Sequence, residues 1–198
     1  MTTLLLKTSL FGDAGQSSLL ASDFAAQRGG RLVVRDLAQD PVPHLTAERF
    51  QAFLAKPEAR TPDQQAIVDY SDRLIGELKA ADTIVIGLPM YNFALPSTLK
   101  AYFDHIARAG VTFKYTDKGP VGLLTGKKTY VVVARGGQYG SEHSHAQYVR
   151  DFLAFLGLTD VEWVFAEGLA ISPQSKEAAL AKARAQIARL NEREPALI

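Results

Sequence analysis

The sequence predicts an α/β fold: a doubly wound, five-stranded parallel sheet in the order 2-1-3-4-5, with helices on both faces. Two observations lead to this prediction. Five short apolar segments alternate along the chain with segments of helical periodicity. Segments such as Ile84–Gly87 are apolar throughout, which is typical of parallel strands buried on both faces. A length of 198 residues suits one domain, so we expect a single domain over residues 1–198.

The first elements are set by apolar runs and by the residues that break them. Leu4–Thr8 is a short apolar strand, and Leu19–Gln27 is a helix that a glycine pair stops. The second strand, Arg31–Leu37, ends at Asp40–Pro43, because proline cannot continue a strand ladder. Thr46–Leu54 is a short helix.

The middle of the chain begins with a long helix. Thr61 is a suitable N-cap and Pro62 suits the first turn, and apolar residues recur at helical spacing from there to Leu78. Thr83–Gly87 is the third strand and Ser97–Ala107 the next helix. The later elements are predicted as an excursion from the sheet at Val111–Tyr115 with a turn at Lys118–Pro120, strand Lys128–Ala134, helix His145–Leu156, strand Val161–Ala166 and amphipathic helix Gln174–Arg193.

Composition excludes several classes of function. The formal net charge is +1 with no basic cluster, so no nucleic-acid footprint is visible. No apolar run approaches the roughly 20 residues of a membrane span, and the N-terminus does not have the form of a signal peptide. The chain has no cysteine, which excludes disulfides, thiolate catalysis and Cys-based zinc sites. A cytoplasmic enzyme is the default expectation.

The predicted strand order brings three loops together. In the order 2-1-3-4-5 a mononucleotide binds at the carboxyl ends of the strands, at the switch point between strands 1 and 3. The loops that follow strands 1, 3 and 4 converge there. We call them loop A (Ser9–Ser18), loop B (Pro89–Phe93) and loop C (Ala134–Tyr139).

Loop A has the composition of a phosphate site ahead of a helix. Backbone amides and hydroxyls at a helix N-terminus favour an anion, and Gly15 lets the backbone come close. Side-chain donors come from Ser9, Gln16, Ser17 and Ser18. The alternative is an ordinary turn in which Ser17 or Ser18 caps the helix. Gly12 and Gly15 do not form a dinucleotide fingerprint, so Asp36 is interpreted as a solvated acid at a strand end. Gly126–Thr129 resembles the tail of a P-loop but precedes a strand instead of following one, so no P-loop is expected.

Loops B and C suit a flat heterocycle such as a flavin. Loop B offers two aromatic rings, a carboxamide and free amides where a buried strand ends. In loop C the Gly136-Gly137 pair lets the backbone pass close to a planar ligand, and its amides can face developing negative charge. The alternatives are that the loop B aromatics are core or turn residues and that loop C is a flexible turn.

No other catalytic constellation is visible in the sequence. His143 and His145 are interpreted as a solvated pair at a helix start, and His44 and His105 lack acidic or cysteine neighbours at ligand spacing, so no metal site is expected. No Gly-x-Ser-x-Gly nucleophile elbow exists.

Five further segments matter when they are taken together: Pro89–Phe93, Arg108–Thr116, Leu124–Lys128, Arg135–Gly137 and Phe165–Gly168. Together they resemble one known family, the FMN-dependent NADH azoreductases, also described as NADH:quinone oxidoreductases, of flavodoxin-like fold. The resemblance covers nearly the whole chain, and two of its segments are specific in combination, Met90–Phe93 and Arg108–Phe113.

The resemblance implies a set of binding residues. Ser9, Gly15 and Gln16–Ser18 would hold the FMN phosphate; Pro89, Met90, Tyr91, Asn92 and Phe93 would line the isoalloxazine and ribityl chain; Ala134, Arg135, Gly136, Gly137 and Tyr139 would lie at the pyrimidine side of the ring. Some members have serine where Ala134 stands, so a hydroxyl contact is missing there. Family members are homodimers with their active sites at the interface. Tyr115 would reach into the partner's pocket and Phe155 would pack over the substrate site beside Phe93.

The function implied is a flavin oxidoreductase. It would pass two electrons from NADH or NADPH through the flavin N5 atom to quinones and azo compounds in a ping-pong cycle. The flavin would do the chemistry, so no side chain is assigned as catalytic. Two alternatives remain, an electron-carrier flavodoxin and a non-enzymatic FMN-binding module. Carriers are usually strongly acidic, whereas 22 basic residues balance 21 acidic ones here.

Overall fold

One parallel sheet organises the chain in the computed structural model, which describes residues 1–193. Its strands are β1 (Thr2–Lys7), β2 (Arg31–Asp36), β3 (Thr83–Pro89), β6 (Lys128–Ala134) and β7 (Asp160–Ala166). They lie in the order β2-β1-β3-β6-β7, and every neighbouring pair is parallel. Since β6 and β7 are the fourth and fifth strands of this sheet, the predicted order 2-1-3-4-5 is confirmed.

Helices cover both faces of the sheet, as predicted. They are α1 (Gln16–Ala26), α2 (Ala47–Leu54), α3 (Pro62–Ala80), α4 (Ser97–Ile106), α5 (Ser144–Leu156) and α6 (Pro173–Arg193). Alternate residues of each strand point to opposite faces. Leu4 and Leu6 therefore join the core under α3, α4 and α5, while Leu5 joins the core under α1 and α6. The two cores hold the carboxyl ends of the strands in fixed positions.

Helix α1 begins at Gln16, three residues before the predicted start at Leu19. Gly15, with extended backbone angles, is its N-cap, and a single 3-10 turn over Gly12–Ala14 precedes it. Ser17 and Ser18 therefore belong to the first helical turn rather than to a loop. Serine is tolerated there because the first-turn amides have no intrahelical acceptor in any case. By contrast, the long helix α3 starts where predicted, with Thr61 and Gln64 forming a capping box.

A β-hairpin stands outside the sheet where the sequence predicted an excursion. Its strands are β4 (Phe113–Thr116) and β5 (Gly119–Gly122), paired antiparallel. The predicted turn at Lys118–Pro120 is displaced, because Gly119 and Pro120 already pair with β4. The hairpin is fixed to the end of α5, where a Cβ on Gly122 would lie 2.0 Å from the Gly157 nitrogen. Within residues 1–193, no helix combines the length and the apolar character that a membrane span requires.

Candidate functional site

Loops A, B and C meet at the carboxyl edge of the sheet. The hydroxyl of Tyr91 in loop B lies 3.0 Å from the Ser9 Oγ and accepts a hydrogen bond from the Leu10 amide at 3.2 Å. Loop B meets loop C where the Met90 amide donates to the Ala134 carbonyl at 3.1 Å. Residues from three distant parts of the chain thus surround one site.

The α1 end of loop A has polar groups that the protein leaves unpaired. The Oγ atoms of Ser17 and Ser18 are buried, and neither has a hydrogen-bond partner among the described residues. The first intrahelical bond comes from the Leu19 amide to the Gly15 carbonyl, at 2.9 Å, so the amides of the three residues before Leu19 precede the helical ladder. An unpaired buried hydroxyl costs about 1–3 kcal/mol. Together with the helix dipole, these groups suit a phosphate.

Two glycines hold this helix end close to its neighbours. A Cβ on Gly15 would lie 2.1 Å from the Ser9 Oγ, and a Cβ on Gly87 would lie 2.8 Å from the Ser17 carbonyl oxygen. Both distances are too short for a side chain, so glycine is required at each position. The close fit brings the start of α1 against the end of β3, beside loop B.

Loop B is a tight turn with strained backbone. Tyr91 and Ala94 exchange both of their backbone hydrogen bonds at 3.0 Å, and the two residues between them have positive φ, 49° at Asn92 and 65° at Phe93. This is the pattern of a type I′ turn, which usually has glycine where Phe93 stands. A bulky residue in that conformation is uncommon, and such strain is concentrated at functional sites. The Phe93 ring is 65% exposed.

The strand that leads into loop B is longer than predicted. Strand β3 runs to Pro89, two residues beyond the predicted end at Gly87, and Pro89 pairs in register with Ala134 of β6. A proline is accommodated because it is the last residue of the strand. Pro89 is buried and Met90 is half-buried, so both lie beneath the exposed turn.

Loop C is held by the segment that follows β7. Its backbone accepts hydrogen bonds from Gly168, Leu169 and Ala170 at 2.8–3.1 Å. The Glu167 carboxylate accepts from the amides of Tyr139 and Gly140 at 3.0 and 3.1 Å. These bonds argue against a flexible turn. The amides of Gly136 and Gly137 donate to no atom of residues 1–193, so they are the donors that loop C can offer a ligand.

Arg135 is part of the framework below loop C. The residue is 1% exposed, and its guanidinium donates to the Gly140 carbonyl at 2.7 Å and to Glu167 at 3.0 Å. Its backbone nitrogen donates to the Ala166 carbonyl at 2.9 Å. Arg135 therefore shapes loop C from within, and its backbone amide is already engaged with β7.

The interpretation of His143 and His145 as a solvated pair is wrong for His145. It is 2% exposed, and its ring lies between the Arg135 guanidinium (3.2 Å from Nδ1) and the Pro89 carbonyl (3.0 Å from Nε2). Burial lowers the pKa of His145 to about 4, so the ring is neutral near pH 7. His143 is the half-exposed N-cap of α5. Sequence spacing gives no signal for this burial, because Pro89 is 56 residues away.

Aromatic rings cover the junction of loops B and C. The Phe93 and Tyr139 rings meet edge to face with centroids 6.1 Å apart, and the His143 ring lies 4.9 Å from Tyr139. A Cβ on Gly137 would lie 2.9 Å from the Tyr139 ring. Loop C therefore passes directly beneath an aromatic side chain.

The other two predicted pocket residues lie in a second aromatic group. Phe155 on α5 and Tyr115 on β4 both contact Phe113, with centroid distances of 4.4 and 5.4 Å. Tyr115 is 75% exposed, whereas Phe155 is half-buried against the core. Among the described residues, neither ring contacts Phe93, so one chain does not bring the three together.

Asp36 was interpreted as a solvated strand-end acid, and this is wrong. Its carboxylate lies 2.8 Å from the Lys7 ammonium, and only 10% of its side chain is exposed. Burial alone would raise the pKa of Asp36, but hydrogen bonds from Lys7 and the Ala38 amide outweigh burial and lower the pKa. Asp36 therefore ties β2 to β1. In the described part of the chain, no three His, Cys, Asp or Glu residues cluster at metal-binding distance.

Comparison with known proteins gives concordant results. A family model described as "Flavodoxin-like fold" matches residues 1–190. The chain is 54% identical over 190 residues to an FMN-dependent NADH:quinone oxidoreductase of Cellvibrio japonicus, with 92% of this chain and 96% of that protein covered. It is 50% identical over 194 residues to a protein of the same name from Alcanivorax borkumensis, with 94% of this chain and 98% of that protein covered.

Solved structures of similar proteins have the same architecture. An azoreductase from Bacillus anthracis strain Sterne superposes with a TM-score of 0.88 at 29% identity, with 98% of this chain and 99% of that chain covered. An FMN-dependent NADH-azoreductase from Bacillus anthracis strain Ames Ancestor, solved in complex with FMN, superposes with a TM-score of 0.83 at 27% identity, with 96% of this chain and 98% of that chain covered.

Proposed function

Since the chain belongs to the family of FMN-dependent NADH:quinone oxidoreductases with a flavodoxin-like fold, we propose that it binds FMN and reduces quinones and azo compounds with NADH or NADPH. One observation carries the proposal. Unpaired serine hydroxyls at the start of α1 and unpaired glycine amides in loop C lie on opposite sides of loop B. This spacing of donors suits a molecule with a phosphate at one end and a polar ring edge at the other.

The residues of the site divide the binding between them. Ser9 and the first turn of α1, Gln16–Ser18, would hold the phosphate, and Gly15 would let it approach the backbone. The strained turn of loop B, with Met90, Tyr91 and Asn92, would line the ribityl chain and one side of the ring. Gly136 and Gly137 would donate to the pyrimidine edge of the ring. No hydroxyl contact comes from Ala134.

Bound FMN would supply a hydride acceptor at its N5 atom and return the two electrons to a second substrate. The protein's part is to bind and orient. Phe93 and Tyr139 would bound the space above the ring, so that a flat nicotinamide or quinone stacks there and water is excluded. Because one space serves both substrates, the oxidised nicotinamide leaves before the quinone enters, which is a ping-pong order.

The pocket would be completed by a second copy of the chain. Tyr115 is exposed on the hairpin and meets Phe113 edge to face, a position from which it can reach another molecule. We place Tyr115 in the partner's pocket, with Phe155 beside the same space. The homodimer and a cytoplasmic location stay predictions.

The test is an optical titration of the purified protein. We expect a yellow protein whose flavin absorbance is bleached by NADH without oxygen and restored by a quinone, with steady turnover when both are present. An electron carrier would be yellow but turn over little, and a binding module would be yellow and inert to NADH. A colourless protein that retains no FMN after incubation with it would contradict the proposal.

A further inference from the structure

His145 lies below the junction of loops B and C, and the binding roles proposed above do not use it. It is the second residue of α5, and only 2% of it is exposed. Both ring nitrogens have partners, one in the framework of loop C and one at the end of β3. A buried polar side chain therefore joins the framework of loop C to the start of loop B.

The proton arrangement of the ring follows from its two partners. A guanidinium only donates hydrogen bonds, so the Nδ1 atom that faces Arg135 must accept. A carbonyl only accepts, so the Nε2 atom that faces Pro89 must carry the proton and donate. Both bonds form only in the neutral ring with its proton on Nε2.

The bond to Pro89 connects loop B to the framework of loop C. Pro89 is the residue from which loop B leaves the sheet, and its carbonyl is held at 3.0 Å from His145. Through Arg135 the same ring is joined to Glu167, which binds the Tyr139 and Gly140 amides. Loop C keeps its own bonds to Glu167, so the bond from Nε2 to Pro89 is the contact of this ring that fixes loop B relative to loop C.

We propose that His145 is a positioning residue whose Nε2–H bond to the Pro89 carbonyl sets the spacing of loops B and C and thereby the strength of FMN binding. This inference rests on the proposed function. His145 does not touch the flavin or the substrates in it; it acts through Pro89.

The surroundings of the ring also make the arrangement sensitive to acid. The charged or titratable groups near it are Arg135 from the end of β6, Glu167 behind Arg135, and His143 just before α5. A second ring proton would sit on Nδ1 and point at the Arg135 guanidinium, which is a donor facing a donor and a cation facing a cation. FMN should therefore dissociate faster from the wild type as the pH falls toward 4 than it does from a variant without an ionisable side chain at this position.

Two isosteric substitutions separate the two bonds. The amide of glutamine occupies the place of Nε2, so His145→Gln keeps a donor for Pro89 and loses the acceptor for Arg135. The amide of asparagine occupies the place of Nδ1, so His145→Asn keeps the acceptor for Arg135 and loses the bond to Pro89. Each variant loses one buried hydrogen bond, so a merely structural role predicts similar effects of both on FMN binding.

The measurement is FMN dissociation from the holoprotein, followed by the recovery of free-flavin fluorescence after dilution, with thermal unfolding alongside. We expect His145→Asn to weaken FMN binding about tenfold and His145→Gln to stay within about threefold of wild type. His44→Gln, an exposed histidine outside the three loops, is the matched control and should not change FMN binding. A ¹⁵N NMR spectrum of the wild type at about pH 7 should show the neutral tautomer with its proton on Nε2.

The possible outcomes separate this inference from the proposed function. Equal FMN affinity in the Asn and Gln variants, or an Nδ1–H ring in the wild type, would overturn the role of His145 while the protein still binds FMN and turns over. A wild-type protein that binds no FMN would overturn the proposed function, and this inference with it.

Discussion

The two ends of the candidate site differ in how far hydrogen bonds from the protein's own side chains hold them in place. Around loop C, Glu167 alone accepts three hydrogen bonds, and the Arg135 side chain is 0% exposed. At the start of α1, two buried serine hydroxyls have no partner within the described residues. Both ends leave donors for a ligand, but only loop C is also held in place by a network of charged side chains. We therefore expect the loop C end to control the stability of the fold and the α1 end to control affinity.

The largest expected effect is on stability, at the loop C end. Glu167→Ala leaves the buried Arg135 guanidinium without its carboxylate and two amides without an acceptor, so we expect the free energy of unfolding to fall by about 3 kcal/mol. Chemical denaturation of the apoprotein measures this change. Glu167→Gln, which keeps an acceptor oxygen, should lose less.

The control for this prediction is on β7, the strand that Glu167 directly follows. Glu162 lies 3.9 Å from Lys128 in a partly exposed pair, so Glu162→Ala should change the unfolding free energy by no more than about 0.5 kcal/mol. Equal losses of unfolding free energy in the Glu162 and Glu167 variants would contradict the prediction that the loop C end controls stability.

The next effect is on affinity, at the α1 end. In a Ser17→Ala, Ser18→Ala double variant we expect FMN to bind about a hundredfold more weakly, because two hydrogen bonds to a charged phosphate are lost. Riboflavin, which has no phosphate, should bind as it does to the wild type. Stability of the apoprotein should be unchanged or slightly higher, since two unpaired hydroxyls are removed.

Fluorescence titration with FMN and with riboflavin measures both affinities. Ser97→Ala, at an exposed position at the start of α4, is the matched control. An equal loss of FMN and riboflavin binding in the double variant would show that the phosphate does not sit at α1.

Two further substitutions, one in loop B and one in loop C, affect the middle of the site. Tyr91→Ala removes the hydroxyl that Ser9 and the Leu10 amide share, and Gly137→Val pushes a side chain into the Tyr139 ring. We expect each to weaken FMN retention about tenfold while changing the fold's stability less, because both act at half-exposed loop positions. Flavin content after gel filtration gives the measurement.

Tyr70→Ala serves as the control for the aromatic truncation. Tyr70 is half-buried like Tyr91, but it lies on α3 beside Arg73. FMN retention that is unchanged in the Tyr91 and Gly137 variants would contradict the placement of loops B and C.

Much of this arrangement could be predicted from the sequence, because its signals are local. The apolar runs fixed the strands and their alternation with helices fixed the sheet order, while Thr61 and Pro62 marked the start of α3. The features that escaped prediction depend on distant partners. Burial of His145 requires Pro89, and the ion pair of Asp36 requires Lys7 on the neighbouring strand. The left-handed conformation of Phe93 runs against its residue preference, so tertiary contacts rather than propensity select it.

The smallest expected effect is a pH dependence of stability that comes from the loop C end. The folded pKa of His145 is about 4, below the ordinary value near 6.5, so between these values the unfolded chain takes up a proton that the folded protein does not. The stabilisation is fully present above about pH 6.5 and is lost as the pH falls toward 4. Between about pH 6.5 and about pH 5.5 the wild type should lose about 1 kcal/mol more than His145→Gln, since all other titrating groups are common to both proteins. Parallel pH profiles of unfolding in the two proteins would mean that the ring is not held neutral, and the loop C end would then be less completely built than its hydrogen bonds indicate.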